Sequence, residues 1–387
     1  MKYWIINRNL PRAYILVNSD KDFTDYHIDF KREIRKNFKD PWILPIKYFI
    51  DHPVIKDNVR LAIEILQNNT CVTFSEQDKT FDNTQGLIFK EASGCQSFVG
   101  HVSENHPQTI NLSQHCQKNP YNILHELGHA LGLVHEHARI GRDAFITIDF
   151  SQLDDNGKKN FKIRNYSNYF NYSVDYDYSS IMHYGPYDFG SFWKRLFGFP
   201  VIKSKLHWQF TWMMESIYAI VIGVVGPVII LVKLFKNKTI SCRNGGYPDF
   251  RDCSKCICPT GYTGDTCGKI VESSSGCGNT TYNASETNIP IILGDKMNCY
   301  ILIRAKENKK VLLTISYLNA PSYTNNVCTE KNAFQIKYRK DKGATGLLLC
   351  GHQSIPFTIK SESRSILIIY KGTGGHSMMH FVFKETD

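Results

Sequence analysis

The sequence predicts a multidomain protein in which an α+β domain is followed by a small disulfide-rich module and an all-β sandwich. Its 387 residues are more than one typical domain contains. Nine of its twelve cysteines fall in the stretch from Cys242 to Cys350, at spacings typical of small extracellular modules. Helical spacing of apolar residues occurs only in the first part of the chain, and alternation dominates after Cys277.

Residues 1–36 are polar and charged, and they end in the basic run 31–36. A pro-segment with a basic processing site fits this composition, and an irregular tail fits it equally well.

From about Trp42 the chain mixes helix and strand patterns. The apolar residues of Lys56–Gln67 have helical spacing, which predicts a helix. A second helix is predicted at Tyr121–Leu131, with Asn119 or Asn122 near its start and Gly132 at its end. Short strands are predicted at Ile46–Ile50, Cys71–Phe74, Gly86–Phe89 and Gln96–Val102.

The second predicted helix carries a metal-binding pattern. His125 and His129 are four residues apart, so both imidazoles project from one face and can hold one ion. Glu126 follows the first ligand and can act as a general base there. Gly132 can adopt a left-handed conformation, which ends the helix and lets His135 return as the third ligand. Three nitrogen ligands with an open fourth position are typical of a catalytic zinc site.

The alternative interpretation is a helix with surface histidines. Two histidines four residues apart arise by chance fairly often, but the full pattern should occur in fewer than roughly one chain in a thousand. The sequence therefore predicts about one zinc ion per chain.

At this point the chain resembles a known family. The string 125–135 with a later methionine resembles the metzincin signature. The stretches 135–139 and 180–184 resemble the astacin branch, and the resemblance covers most of residues 42–190. Gly141 departs from the family's usual Asp, while Arg142 and Asp143 agree with it. The resemblance implies an α+β metzincin-type protease domain at 37–200 and a zinc metalloendopeptidase that acts on a protein or peptide substrate.

The resemblance also implies individual roles. Glu126 would be the general base, and Met182 would form the hydrophobic floor under the metal. Tyr184 would be an additional zinc ligand that moves to the oxyanion of the transition state. Glu136 would be buried and would receive a new N-terminus after propeptide removal.

The later cysteines resemble those of two module types, which implies an EGF-like module at 239–268 and a CUB sandwich at 277–387. Alternating stretches at Val311–Tyr317, Phe334–Tyr338 and Ser365–Tyr370 favour the sandwich. The CUB sandwich is a possible binding surface for an extracellular partner. The implied disulfides are Cys95–Cys116 in the protease, Cys242–Cys256 and Cys258–Cys267 in the EGF-like module, and Cys277–Cys299 and Cys328–Cys350 in the sandwich.

Cys71 and Cys253 have no implied partner, and both expected partners map to residues 201–238. This segment contains the uncharged apolar run Ile217–Val232, which Pro227 interrupts. An ordinary membrane span is disfavoured, because disulfide-dependent modules lie on both sides of the run. We interpret 201–238 as an anomalous segment that replaces the closing helix of the protease, and a re-entrant or anchoring segment is the other interpretation.

The cysteines predict a secreted, extracellular protein, although residues 1–18 contain no recognisable signal peptide. The formal charge of +10 comes from scattered basic residues, so nucleic-acid binding is not expected. Seven Asn-x-Ser/Thr sequons are candidate glycosylation sites, at Asn68, Asn111, Asn165, Asn171, Asn237, Asn279 and Asn283.

Three functions remain open on the sequence. An active secreted zinc endopeptidase is favoured by the complete set of motif residues. A catalytically impaired homologue that binds through its CUB domain is favoured by the anomalous segment. A membrane-tethered protease depends on the apolar run at 217–232.

Overall fold

The structure is a computed structural model. It describes residues 42–70, 72–163, 175–192, 196–214, 240–249, 252, 254–321, 328, 330, 333–353 and 355–387, and the backbone of three short strands at 13–14, 33–35 and 169–171. Cys71, Cys253, the apolar run 217–232, Asn165, Asn237 and most of residues 1–36 lie outside the described residues.

The elements up to residue 214 alternate between short strands and helices. In chain order they are β1 (Ala13–Tyr14), β2 (Glu33–Arg35), β3 (Ile43–Leu44), β4 (Ile46–Ile50), α1 (Lys56–Asn69), β5 (Phe74–Glu76), β6 (Leu87–Glu91), β7 (Gln96–Ser97), β8 (Gln108–Leu112), α2 (Pro120–Ala130), β9 (Ile146–Ile148), α3 (Asp155–Asn160), β10 (Tyr169–Asn171), β11 (Ile202–Ser204) and α4 (Trp208–Met213).

The remaining described elements are strands. They are β12 (Tyr247–Pro248), β13 (Cys256–Ile257), β14 (Tyr262–Thr263), β15 (Lys269–Ile270), β16 (Thr281–Asn283), β17 (Ile289–Gly294), β18 (Asn298–Arg304), β19 (Lys310–Asn319), β20 (Phe334–Lys337), β21 (Leu347–Leu349), β22 (His352–Gln353), β23 (Phe357–Lys360), β24 (Ser365–Lys371) and β25 (Met378–Thr386).

The described residues form two compact units. The first contains those up to Ile140 together with 162–163 and 169–171. The second contains residues 141–161 and all described residues from Asp175 onward.

The first unit is built on a sheet with the strand order β5-β4-β6-β8-β7. The first four strands are parallel, and β7 pairs antiparallel with β8 at one edge. Helix α1 buries Val59, Ala62, Ile63 and Leu66, the residues whose spacing predicted it, and it packs against α2. Two short antiparallel pairs, β1 with β3 and β2 with β10, also belong to this unit.

Several predicted strand bounds are wrong. The strand expected at Cys71–Phe74 lies at Phe74–Glu76, and the one expected at Gly86–Phe89 extends to Glu91. The strand expected at Gln96–Val102 stops at Ser97, because the backbone turns at Gly100, whose φ is +82°, and its N–H bonds α2 instead of a strand. Strand β8 was not predicted, although it buries Gln108, Ile110 and Leu112 in alternation.

The second unit begins with residues 141–161 and continues with the described residues from Asp175. Strand β11 pairs antiparallel with β9. Val201, Ile202, Phe210 and Met213 are completely buried. The first residues of the expected anomalous segment, 201–214, therefore contribute apolar side chains to the core of the unit, and the rest of that segment lies outside the described residues.

The disulfide-rich module consists of two small antiparallel hairpins, β12 with β13 and β14 with β15. Gly261 lies at the turn before β14 with a φ of +91°, and a Cβ there would lie 2.6 Å from Leu367 of the following region. Glycine is therefore required at this turn for both backbone conformation and close packing.

Two five-stranded sheets form the C-terminal part of the described chain. One has the order β16-β18-β24-β20-β21, and it is antiparallel except for β16 with β18. The other has the order β17-β25-β19-β22, with β23 also paired to β19, and it is wholly antiparallel. Strand β25 alternates buried and half-buried residues throughout, as expected for a sheet with one face in a core. The expected all-β sandwich is thus present, and we call residues 277–387 the sandwich.

Five disulfides are present among the described residues, in the pairs that the family resemblances imply. They are Cys95–Cys116, Cys242–Cys256, Cys258–Cys267, Cys277–Cys299 and Cys328–Cys350. Of the candidate glycosylation sites whose side chains are described, Asn68, Asn279 and Asn283 are exposed and Asn111 is half-buried. Within the described ranges, no helix is both long and apolar enough to cross a membrane.

Candidate metal centre

Helix α2 carries the first two histidines of the motif. The side chain of Asn119 accepts a hydrogen bond from the backbone N–H of Tyr121 at 3.0 Å, and so caps the helix. Pro120 takes the first helical position, where a backbone N–H would lack a helical partner in any case. The regular helix that follows places His125 and His129 one turn apart on the same face.

The end of α2 determines where the third histidine lies. Gly132 adopts a φ of +100°, in agreement with the turn predicted there. The N–H of Gly132 donates to the carbonyl of His129 at 2.8 Å, and that of Leu133 donates to Gly128 at 2.9 Å. These bonds close the helix with a tight turn, and the chain then returns towards α2 with His135.

The three imidazoles converge on one point. Nε2 of His135 lies 3.2 Å from Nε2 of His125 and 3.1 Å from Nε2 of His129. This trio is the group of metal-ligating side chains that the described residues bring together, and its ligand atoms lie within 4.8 Å of one another. Tetrahedral ligation by nitrogens about 2.1 Å from a zinc ion would separate those nitrogens by about 3.4 Å. The cluster is therefore able to hold a metal ion.

The tautomer of His129 supports this conclusion. Its Nδ1 lies 2.8 Å from the carbonyl oxygen of Leu133. Because a carbonyl oxygen only accepts hydrogen bonds, Nδ1 must carry the proton, which leaves the lone pair of neutral His129 on Nε2. This Nε2 is the atom that approaches Nε2 of His135 in the cluster. An outer hydrogen bond of this kind orients a ligand and raises its basicity.

Three contacts that the sequence did not reveal support the ligand-bearing turn. Trp42 donates its indole N–H to the carbonyl of Ala130 at 2.9 Å. Gly100 donates its backbone N–H to the carbonyl of His129 at 2.8 Å. The ring of His137 stacks on that of His135, with centroids 5.1 Å apart. His137 lies within the motif, but Trp42 and Gly100 are remote in sequence, and no periodic pattern connects them to the helix.

Glu126 is buried next to the cluster. Its side chain is 5% exposed, and its Oε2 accepts no hydrogen bond from any group that the structure describes. Burial raises the pKa of Glu126 to about 7. A nearby cation would lower this pKa again, because it favours the charged carboxylate. A buried carboxylate that follows a ligand directly in the chain, and whose Oε2 has no described hydrogen-bond partner, fits a site that holds a cation and a reacting group.

Glu136 is buried, and the structure pairs it with Arg139. Nη1 of Arg139 donates to Oε1 of Glu136 at 2.8 Å, and both side chains are less than 5% exposed. The family resemblance implies a new N-terminus as the partner of Glu136 and does not indicate Arg139. Their spacing of three residues in the motif could have indicated the pair.

Met182 and Tyr184 belong to the second unit and lie in a tight turn. Met182 is 3% exposed, and its N–H donates to Oγ of Ser180 at 3.2 Å. The ring of Tyr184 is half-buried and packs edge-to-face against Phe161, with centroids 5.8 Å apart.

The family model of astacin, a peptidase family, matches residues 34–197. The zinc metalloproteinase nas-27 of Caenorhabditis elegans is 30% identical over 327 residues, which cover 79% of this chain and 74% of nas-27. The chain belongs to the astacin family.

Other relatives of this astacin-family chain extend the match. The zinc metalloproteinase nas-34 of Caenorhabditis elegans is 29% identical over 384 residues, which are 96% of this chain and 60% of nas-34. The chain thus spans about three-fifths of the length of that relative. The structure of high choriolytic enzyme 1, a hatching enzyme zinc-protease of the medaka fish Oryzias latipes, matches at 25% identity with a TM-score of 0.36, over 42% of this chain and 77% of that one. That TM-score is too low to support an argument.

Proposed function

We propose that this chain is a secreted, zinc-dependent endopeptidase that hydrolyses peptide bonds of a protein or peptide substrate. The convergence of three Nε2 atoms, 3.1 and 3.2 Å apart, is the observation that carries the proposal. The fourth position that such a cluster leaves open is the mark of a catalytic rather than a structural zinc site.

His125, His129 and His135 would hold one zinc ion. When bound, zinc supplies a Lewis acid that activates water and polarises the scissile carbonyl. Three neutral imidazoles add no negative charge, so the ion keeps its full charge for this chemistry. Nitrogen ligands of this kind suit zinc, and the relatives nas-27 and nas-34 are zinc metalloproteinases by name.

Glu126 is the general base of the proposed reaction. Its Oε2 is buried, accepts no described hydrogen bond, and follows a ligand directly in the chain. It would accept the proton of the attacking water and deliver it to the nitrogen of the leaving amine. Because no described donor occupies its Oε2, the carboxylate can accept the proton of water and then pass it to the amine.

We assign roles to Tyr184 and Met182 from their positions in the family motif. The hydroxyl of Tyr184 would serve as a further zinc ligand and then donate to the oxyanion of the transition state. Met182, at 3% exposure, would provide an apolar floor for the metal site. Glu136, which bonds Arg139 in the structure, would take the new N-terminus as a further partner after activation.

The domain organisation that we propose has a pro-segment at 1–36, a catalytic domain at 37–200, an anomalous segment at 201–238, an EGF-like module at 239–268 and a CUB domain at 277–387. The five described disulfides support an oxidising compartment and hence secretion. The exposed sequons at Asn68, Asn279 and Asn283 are then accessible for glycosylation. The EGF-like and CUB modules would select the substrate or an extracellular partner.

The proposal predicts peptide hydrolysis that depends on zinc. Purified full-length chain should contain about one zinc ion and should cleave an internally quenched peptide library. A chelator should reduce hydrolysis to the background rate, because the three histidines alone provide no Lewis acid. Restoration by one equivalent of zinc would support the proposal. Hydrolysis that survives complete removal of the metal, verified by elemental analysis, would contradict it.

A further inference from the structure

Three consecutive residues before the Met182 turn are held by the sandwich. Nη1 of Arg339 donates to the carbonyl of Tyr176 at 2.6 Å, and its Nη2 lies 3.2 Å from Oδ2 of Asp175. The backbone N–H of Asp175 also donates to Oδ2 of Asp341 at 3.4 Å. All of these groups belong to the second unit.

A third contact completes the set. Oγ1 of Thr345 donates to Oδ2 of Asp177 at 3.2 Å, and both residues are buried. Residues 175, 176 and 177 are therefore bound by residues 341, 339 and 345. The residues from 339 to 345 are here called the clasp, and they connect β20 to β21 in the sandwich.

Arg339 is a buried cation surrounded by two carboxylates and an aromatic ring. It is 2% exposed, and its guanidinium lies 5.6 Å from the centroid of the Phe145 ring. Its Nε lies 3.8 Å from a carboxylate oxygen of Glu362, which adds to the ion pair with Asp175. These neighbours offset the cost of burying the guanidinium group.

The clasped residues lead directly into the Met182 turn through an unbroken series of hydrogen bonds. Oδ1 of Asp177 accepts from the N–H of Ser179, and its backbone carbonyl accepts from the N–H of Ser180. Oγ of Ser180 accepts from the N–H of Met182, and its carbonyl accepts from the N–H of His183. These bonds connect Asp177 to the turn.

A second connection runs through Tyr176. Its hydroxyl lies 2.5 Å from Nε2 of His183, the residue between Met182 and Tyr184. Tyr176 is completely buried, and its ring stacks on that of Phe145 at a centroid distance of 5.0 Å. Tyr176 thus connects Arg339, through its carbonyl, to His183, through its hydroxyl.

Apolar contacts in the same unit support the clasp. The rings of Tyr178 and Phe210 stack at 4.4 Å, and Phe210 lies 6.3 Å from Tyr338 of the sandwich. The backbone N–H of Leu348 lies 3.3 Å from Sδ of Met213. Side chains of residues 146–214 and of the sandwich belong to one buried hydrophobic cluster. The two regions therefore share one close-packed core.

We propose that the clasp positions the Met182–Tyr184 turn for catalysis, and that Arg339 and Thr345 are positioning residues of the peptidase. The inference rests on the proposed function, in which Met182 and Tyr184 serve the metal site. The sandwich then acts as part of the catalytic machinery in addition to any role in binding. Neither residue touches the substrate.

Thr345→Val and Arg339→Met in the full chain test the proposal. Valine matches threonine in shape and removes only the bond to Asp177, so this variant should fold normally. In it, the amides of Ser179 and Ser180 should exchange hydrogen about fivefold faster, the loss expected when one hydrogen bond is removed. The kcat per zinc-loaded chain should fall at least about threefold, while KM and zinc content remain unchanged.

Arg339→Met should reduce kcat more strongly than Arg339→Lys, because lysine keeps the charge although it cannot bind two groups in a fixed fork. The exposed residues Thr373 and Arg364 offer matched controls, and Thr373→Val and Arg364→Met should change neither exchange nor kcat.

Unchanged amide exchange and unchanged kcat in Thr345→Val would overturn the proposal. A rise in KM or a loss of zinc at constant kcat would also overturn it, because the effect would then lie in binding. If the wild-type chain hydrolyses no peptide, the proposed function fails, and amide exchange at 179–183 alone then decides whether the clasp holds the turn.

Discussion

Replacement of Glu126 by glutamine should abolish most peptide hydrolysis and leave the zinc content unchanged. The amide has nearly the shape of the carboxylate but accepts no proton, so the transfer from water to the leaving amine is lost. General acid–base catalysis contributes typically 10²- to 10⁴-fold, and we expect kcat to fall by about that range. The three histidines are untouched, so elemental analysis should still find about one zinc ion per chain.

Glu64 provides the control for this substitution. It lies on α1 with an exposed side chain, and Glu64→Gln removes the same charge from the surface. That variant should retain full kcat. Near-normal hydrolysis by Glu126→Gln would show that another group is the base. Loss of both zinc and activity would instead show that Glu126 supports the structure of the site.

The second large effect is expected from His125→Ala. His125 is half-buried on α2, and alanine is the best helix former, so the helix should persist. Loss of an outer hydrogen-bond partner typically costs 10- to 100-fold in metal affinity, and loss of a ligand itself should cost more than about 100-fold. Competition with a chromogenic zinc chelator would measure the change, and peptide hydrolysis should disappear with the metal.

His106→Ala is the matched control, because His106 is exposed and pairs only with the exposed Asp82 among described contacts. Its zinc affinity should equal that of the wild type. An unchanged affinity in His125→Ala would mean that the metal is bound elsewhere. Circular dichroism of both variants would separate loss of a ligand from loss of the fold.

The sequence predicted the metal cluster because its geometry is local. His125 and His129 are related by one helical turn, and Gly132 has the backbone freedom that returns His135 to them. A local pattern of this kind depends little on the rest of the fold. The helix α1 was equally accessible, since its buried residues lie at helical spacing.

Features that depend on long-range contacts could not be predicted in the same way. Strand β7 begins at Gln96 and stops at Ser97, because the backbone N–H of Gly100 donates a hydrogen bond to the carbonyl of His129 at the end of α2. No local pattern encodes this contact. The complete burial of Val201 and Phe210 in the core of the second unit likewise depends on contacts that no local pattern encodes. The pair between Arg339 and Asp175 joins residues 164 positions apart, which composition and periodicity do not reveal.

X-ray absorption at the zinc edge of the purified chain measures which atoms bind the metal and at what distances. We expect three imidazole nitrogens at about 2.0–2.1 Å from one zinc ion, with no sulfur ligand. The signal of one imidazole should be lost in His125→Ala loaded with excess zinc. A ligand set that contains cysteine sulfur at about 2.3 Å, or one without histidine, would contradict the assignment of His125, His129 and His135 as the metal ligands.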